Sequence, residues 1–194
     1  MVEGILTRRN ATVKVKITVK TIISVALIAL AVVLPQIAHL VGGAAAGMTW
    51  LPMYLPILIG GCLLGTYWGL GVGVLSPVVS YLITSAMGNP MPMLARLPYM
   101  IVELMLFAAI SGLFSKKIDK NAWMAFPAVL LAQVVGRAVF LLLVACTQSI
   151  STLSLAVVWG QVQSGLVGLV LQAVIVPFVI MALCRLLNES KKGE

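Results

Sequence analysis

Three charged side chains stand where charge is expensive. Arg96, Glu103 and Arg137 lie within long apolar runs, apart from every other ionic group of the chain. A charge at the centre of a membrane helix costs about 2.5 to 3.5 kcal/mol on insertion scales, so each is expected to face a cavity or a partner. Arg96 and Glu103 are separated by nearly two helical turns, which puts them on one face with roughly 10 Å of rise. Pro98 suits a first helical turn, so Arg96 is expected at the rim of the helix and Glu103 inside the bundle. Arg137 follows Gln133 by one turn and could neutralise Glu103 directly or meet a ligand. Gln161, Gly165, Gly168 and Gln172 then form one stripe of amides and glycines. That stripe reads either as close helix packing with amides bonding across the interface, or as a ligand contact at Gln161 with Gln172 structural.

Other chemistry is excluded by residue count and spacing. His39 is the single histidine, so no multi-histidine metal cage can form, and it reads as a helix-end hydrogen-bonder or a ligand contact. Cys62, Cys146 and Cys184 are isolated within apolar runs without metal-ligand spacing and read as packing residues. There is no Ser-His-Asp set, HExxH, P-loop or paired-carboxylate site. The chain is therefore expected not to be an enzyme, to carry no cofactor and no metal, and to draw any ATP-derived energy from another chain.

The elements that must position these residues follow from composition. Of 194 residues, 61% are hydrophobic and 9% charged, with a mean hydropathy of +1.13. Soluble domains carry about 25% charged residues, so this is an all-α integral membrane protein in a single domain, with no separate catalytic domain and no nucleic-acid partner. The net charge of +8 reports topology instead. Every cation except Arg96 and Arg137 falls in one of three clusters: Arg8, Arg9, Lys14, Lys16 and Lys20; Lys116, Lys117 and Lys120; Arg185, Lys191 and Lys192. The positive-inside rule makes all three cytoplasmic, so an even number of crossings separates each from the next.

Parity then decides the middle of the chain. One helix from Tyr54 to Met87 would be about 50 Å long against a hydrocarbon core of about 30 Å, so two helices with a turn near Gly65 to Gly71 are expected. Gly61, Gly65, Gly69 and Gly73 repeat every fourth residue, which in one continuous helix would make a packing ribbon. Pro77 at the next position argues against that continuity, and the glycines are read as the contact and turn of two close helices. Six transmembrane helices result, at about 18–40, 54–68, 70–87, 96–115, 122–146 and 157–187. A cytoplasmic segment 1–17 precedes them, and both termini are cytoplasmic. Thr7-Arg8-Arg9 faintly resembles a twin-arginine signal and Ala44 to Ala46 a cleavage site, but the long apolar first segment favours an uncleaved helix. Asn10-Ala11-Thr12 has the glycosylation pattern in a cytoplasmic place.

Two outer connections are unusual. Val41 to Pro56 is rich in glycine and alanine and ends in Trp50, Met53, Tyr54 and two prolines, and Met87 to Met93 is rich in Pro and Met. They read as a mobile lid and its rim over an outer cavity, or as an aromatic belt with ordinary turns.

LPMYLPILIGGCLLGTYWGLGVGVLSPVVSYLIT (Leu51 to Thr84) and NPMPMLARLPYMIVELMLFAAISGLFSKK (Asn89 to Lys117) together resemble the substrate-binding S components of energy-coupling factor (ECF) vitamin transporters. The likeness lies in a Pro-rich entry to the second helix, glycine-spaced second and third helices, a Ser-Pro step, a Pro/Met loop and a fourth helix with an embedded Glu. It implies a six-helix prokaryotic plasma-membrane protein that captures a vitamin or vitamin precursor from outside, with the first outer loop as gate. It further implies docking on a membrane coupling subunit with two cytoplasmic ATPases, and toppling to release substrate inside. Trp50, Met53, Tyr54, Asn89, Met91 and Met93 would line or close the pocket. Arg96, Glu103, Arg137 and Gln161 would supply its few polar contacts. Two arginines against one carboxylate leave a spare positive charge suited to a carboxylate or phosphate. Pantothenate or a folate fits, cobalamin remains open, and so does riboflavin or a pyrimidine precursor. Docking alanines in the family often stand four apart; here Ala26, Ala29 and Ala31 cluster without that spacing. Metal-transporting members carry a histidine at the second position, where this chain has Val2. The rival readings are a stand-alone carrier or channel, although the two halves show no clear internal repeat, and an intramembrane enzyme using Glu103 and His39.

Overall fold

The computed structural model describes Val2, residues 12–147 and residues 155–189. The Arg8-Arg9 pair, Asn10 and Ala11, the connection at 148–154 and Lys191 and Lys192 lie outside the described residues. The chain forms helices α1 (Val13–Trp50), α2 (Tyr54–Leu64), α3 (Thr66–Ala86), α4 (Leu97–Leu113), α5 (Ser115–Lys120), α6 (Ala125–Thr147) and α7 (Leu155–Glu189), with a 3-10 turn at Ala122–Met124 before α6. No strand occurs among the described residues, as lipid requires of a chain that satisfies its backbone internally. Among the described residues, five stretches are long and apolar enough to cross a bilayer: Val13–Gly43, Ala46–Leu64, Thr66–Ala86, Ala122–Thr147 and Val158–Leu186. Leu97–Leu113 is a shorter apolar helix.

The middle of the chain divides at Gly65. Its φ of 84° and ψ of 178° end α2 and open α3, a backbone state that side chains other than glycine rarely adopt. A single continuous helix through Gly61 to Gly73 is thereby ruled out. The remaining glycines are contacts: a Cβ on Gly69 would stand 3.0 Å from Gly61 Cα, and one on Gly73 would stand 2.8 Å from Leu104 O of α4. A Cβ on Gly61 would press on Ser111 and Ala108, and one on Gly112 would stand 2.6 Å from Thr66 N. Helix α4 thus packs into the glycine faces of both α2 and α3.

The first connection, expected to be a loop from Val41 to Pro56, is non-helical only at 51–53, and the difference lies mainly in Val41 to Trp50. Those residues are helical on both sides of a break at Gly43 (φ 67°, ψ −169°). The run Ala44-Ala45-Ala46 that reads as a flexible stretch has the highest helix propensity of any residue type, so it restarts the helix once glycine has turned it. The arm after the break lies on α7. A Cβ on Gly168 would stand 2.5 Å from Thr49 O, and one on Gly165 would stand 3.5 Å from Met48 O. Helix α1 ends at Leu51, whose φ of 48° is left-handed, a state that costs a branched residue roughly 1–2 kcal/mol. Gln172 Nε2 holds that turn, donating to Trp50 O at 3.1 Å and Leu51 O at 2.8 Å.

The second connection is non-helical from Met87 to Arg96 and tied to α3. Thr84 Oγ1 accepts from Met91 N at 2.8 Å, and Ser80 Oγ donates to Met91 O at 3.0 Å. The main core cluster spans all the long helices and includes Ile57, Leu58, Leu104, Phe107, Val129 and Ile180, and a smaller one joins Phe140 and Val144 of α6 to Val158 of α7. Val2 packs into the main cluster.

Candidate ligand-binding site

The buried polar centre is assembled from three helices. Tyr54 opens α2, Glu103 sits two turns into α4, and Arg137 lies midway along α6. Tyr54 Oη donates to Glu103 Oε2 at 2.8 Å. Arg137 Nη1 stands 3.0 Å from Glu103 Oε1, an ion-pair distance whose geometry falls short of a hydrogen bond. The guanidinium lies over the Tyr54 ring at 5.2 Å and near the Phe140 ring at 5.9 Å, distances at which the ring quadrupole attracts a cation. Tyr54 is in turn fixed edge-on against Phe107, with centroids 5.2 Å apart. Gly136, beside Arg137, admits the Phe107 ring, which a Cβ there would strike.

Glu103 is fully buried and Arg137 is 7% exposed. An ion pair this deep survives only where each member is held by further contacts, and removal of either strands the other. The pair is not saturated. Arg137 Nε and Nη2 are buried without a hydrogen-bond partner, and so are Arg96 Nε and Gln161 Oε1. Arg96 stands at the residue before α4, half-buried and without a capping hydrogen bond from its side chain, and its charge acts on both Tyr54 and Glu103. Gly165 of α7 faces Arg137: a Cβ there would stand 3.6 Å from Nη2.

The structure therefore brings Tyr54, Arg96, Glu103 and Arg137 together, with Gln161 one turn beyond Gly165. Met53 is buried in the apolar core beside this group. Trp50, Asn89 and Met93 are exposed, and Met91 is half-buried where Ser80 and Thr84 hold it. Of the candidate docking alanines, Ala26 and Ala29 are exposed on α1 while Ala31 is fully buried in the core. Gln133 donates to Leu169 O at 3.1 Å and joins α6 to α7. His39 Nδ1 bonds the carbonyl of Gly43 at 3.2 Å, within its own helix at the break.

Four contributors have weak signals in the sequence. Tyr54 reads as an interfacial aromatic until its partner is known. Gly165 reads as packing until Arg137 is seen against it. Ser80 and Thr84 leave the clearest trace, two hydroxyls one turn apart on an apolar helix that has no other need of them. Away from this centre, α1 and α3 enclose a shallow apolar groove of about 300 Å³ between Ser24, Val25 and Ile28 on one side and Tyr67, Trp68 and Leu75 on the other.

The comparison that decides the family is with the ECF transporter substrate-specific component, whose family description matches residues 20–180. The chain belongs to this family. It is an S component, a substrate-binding transporter subunit of the membrane. No individual curated protein and no solved structure matches it. S components work with ECF coupling and ATPase modules and bind a small substrate. In this S component, Glu103 and its arginines fall inside the matched segment, as does the whole of α2 to α6.

Proposed function

We propose that this S component captures a vitamin or vitamin precursor with high affinity at its extracytoplasmic face and delivers it through a coupling subunit driven by two cytoplasmic ATPases. The single observation that carries the reading is a buried, incompletely paired charge cluster at the meeting of α2, α4 and α6, within a chain of S-component sequence. Ions at membrane depth are retained where they line a substrate path, and an apolar pocket with a few convergent polar groups is the usual form of a small-molecule site.

In this reading α4 also crosses the membrane, making six crossings in all, and both termini are cytoplasmic, in the plasma membrane of a prokaryote. Trp50, Met53 and Tyr54 with Asn89, Met91 and Met93 belong to the entrance, and Arg96, Glu103, Arg137 and Gln161 are the polar contacts. Pantothenate, a folate or cobalamin is the candidate substrate. The α1 face with exposed Ala26 and Ala29, beside the apolar groove, receives the coupling subunit; Ala31, turned into the core, supports that face from behind.

Mass spectrometry of small molecules released from the detergent-purified chain tests capture. One vitamin-class compound is expected at near-stoichiometric amount, and it should raise the melting temperature when added back. Empty protein from several hosts, with no vitamin shifting the melting temperature, would overturn the reading.

A further inference from the structure

The charges inside the apolar part of the chain do not cancel. Between Lys20 and Lys116 the charged side chains are Arg96 and Glu103, and between Lys120 and Arg185 there is Arg137. Glu103 accepts from Tyr54 through Oε2 at 2.8 Å, and its Oε1 stands at ion-pair distance, 3.0 Å, from Arg137 Nη1 without hydrogen-bond geometry. Arg96 forms no ion pair among the described residues. One positive charge therefore has no counter-charge among the described residues.

The unpaired atoms have a direction. Nε and Nη2 of Arg137 lie on one edge of the guanidinium, the parallel fork that grips a carboxylate or phosphate with two hydrogen bonds. Both are buried and unpartnered on a side chain only 8% exposed. Guanidinium nitrogens can donate but cannot accept, so this edge needs acceptors. Gln161 Oε1 is buried with the opposite need, an acceptor without a donor. Glycine at 165 keeps the approach to Nη2 free of a side chain. The Tyr54 and Phe140 rings hold the guanidinium by its faces.

On the capture reading above, we propose that the substrate is a small organic acid. Its anionic group, a carboxylate or a phosphate, sits between Arg96 and the Nε–Nη2 edge of Arg137. An N–H or O–H of the same molecule donates to Gln161 Oε1. Two cations then face two anions and the buried cluster is neutral. Glu103 is a positioning residue here: by holding Nη1 it aims the opposite edge of Arg137 at the ligand.

The test uses the full chain in detergent, with calorimetry and thermal shift. The probes are pantothenate, folate and biotin, each beside its uncharged alcohol or amide, together with pyridoxal phosphate, cobalamin, riboflavin and thiamin. A free acid or the phosphate ester is expected to bind, and which of them does separates carboxylate from phosphate. The matched uncharged form should bind about 10- to 100-fold more weakly, the usual range for a hydrogen bond to a charged group. Arg96→Gln should weaken the acid by a similar factor, whereas Gln172→Ala, outside the cluster, should keep its affinity. An uncharged analogue as tight as its acid, riboflavin or thiamin as the tightest probe, or equal losses from Arg96→Gln and Gln172→Ala would each overturn the proposal. The acid-against-amide comparison is made on the unaltered chain and does not depend on any variant folding. Binding by riboflavin alone would leave capture standing and this inference refuted, whereas silence from every probe, charged or not, would refute both.

Discussion

Glu103 and Arg137 make each other affordable at membrane depth. Glu103 has no exposure at all, and its two oxygens face Tyr54 and Arg137. Arg137→Ala leaves a buried carboxylate beside one hydroxyl and is expected to cost about 3–5 kcal/mol of stability. The paired change Glu103→Gln with Arg137→Gln should cost less than its single changes summed, by at least about 1 kcal/mol, because neither charge is then stranded. Reversible unfolding in mixed detergent measures the cycle, and additivity of the two losses would show that the pair is not coupled. The sequence marks both residues, since a charge inside an apolar run is visible without coordinates. It does not mark Tyr54 as their partner, because a phenol at the start of an apolar run has the same appearance at a lipid interface. Trp50 shares that appearance and is exposed.

At the scale of elements, glycine does two separate jobs in one run. Gly65 turns the chain through a positive φ, while Gly61, Gly69 and Gly73 let α2, α3 and α4 approach. Gly73→Ala would place a methyl 2.8 Å from Leu104 O. Backbone cannot rotate away, so a loss of about 1–3 kcal/mol is expected, as for other overpacked interiors. Gly71, two residues earlier, has nothing within 4 Å of its Cβ position, and Gly71→Ala should gain about 0.5–1 kcal/mol from reduced chain freedom. Melting temperatures of the two variants in one detergent check the contrast, and equal effects would mean that α4 does not seat on α3 as described. The spacing announces these glycines, and charge parity places a break within 65–71. The arm after Gly43 is different. Its alanines and glycines suit a loop or a helix equally, and the outcome depends on Gly165, Gly168 and Gln172 of α7, more than a hundred residues away, receiving its carbonyls.

In the proposed topology the whole molecule is oriented by its cations. Lys116, Lys117 and Lys120 cluster at the turn between α4 and α6, and the Met87–Arg96 connection contains no lysine. Lys117→Cys and Asn89→Cys, each in a chain with Cys62, Cys146 and Cys184 replaced by alanine, should therefore be labelled from opposite sides by an impermeant maleimide. Intact cells are expected to label Asn89→Cys at once and Lys117→Cys only after permeabilisation; labelling of both from outside would reverse the proposed topology. Apolar run length and charge distribution suffice for the all-helical membrane class and for singling out Arg96, Glu103 and Arg137, because a bilayer penalises polar groups by position along the chain and that penalty is local in sequence. Partner choice is not local. That Glu103 takes Tyr54 and Arg137 together, that Gly165 opens the free edge of Arg137, and that Gln172 fastens the end of α1 are settled only by packing, since each joins residues separated by tens of positions whose meeting no periodicity encodes.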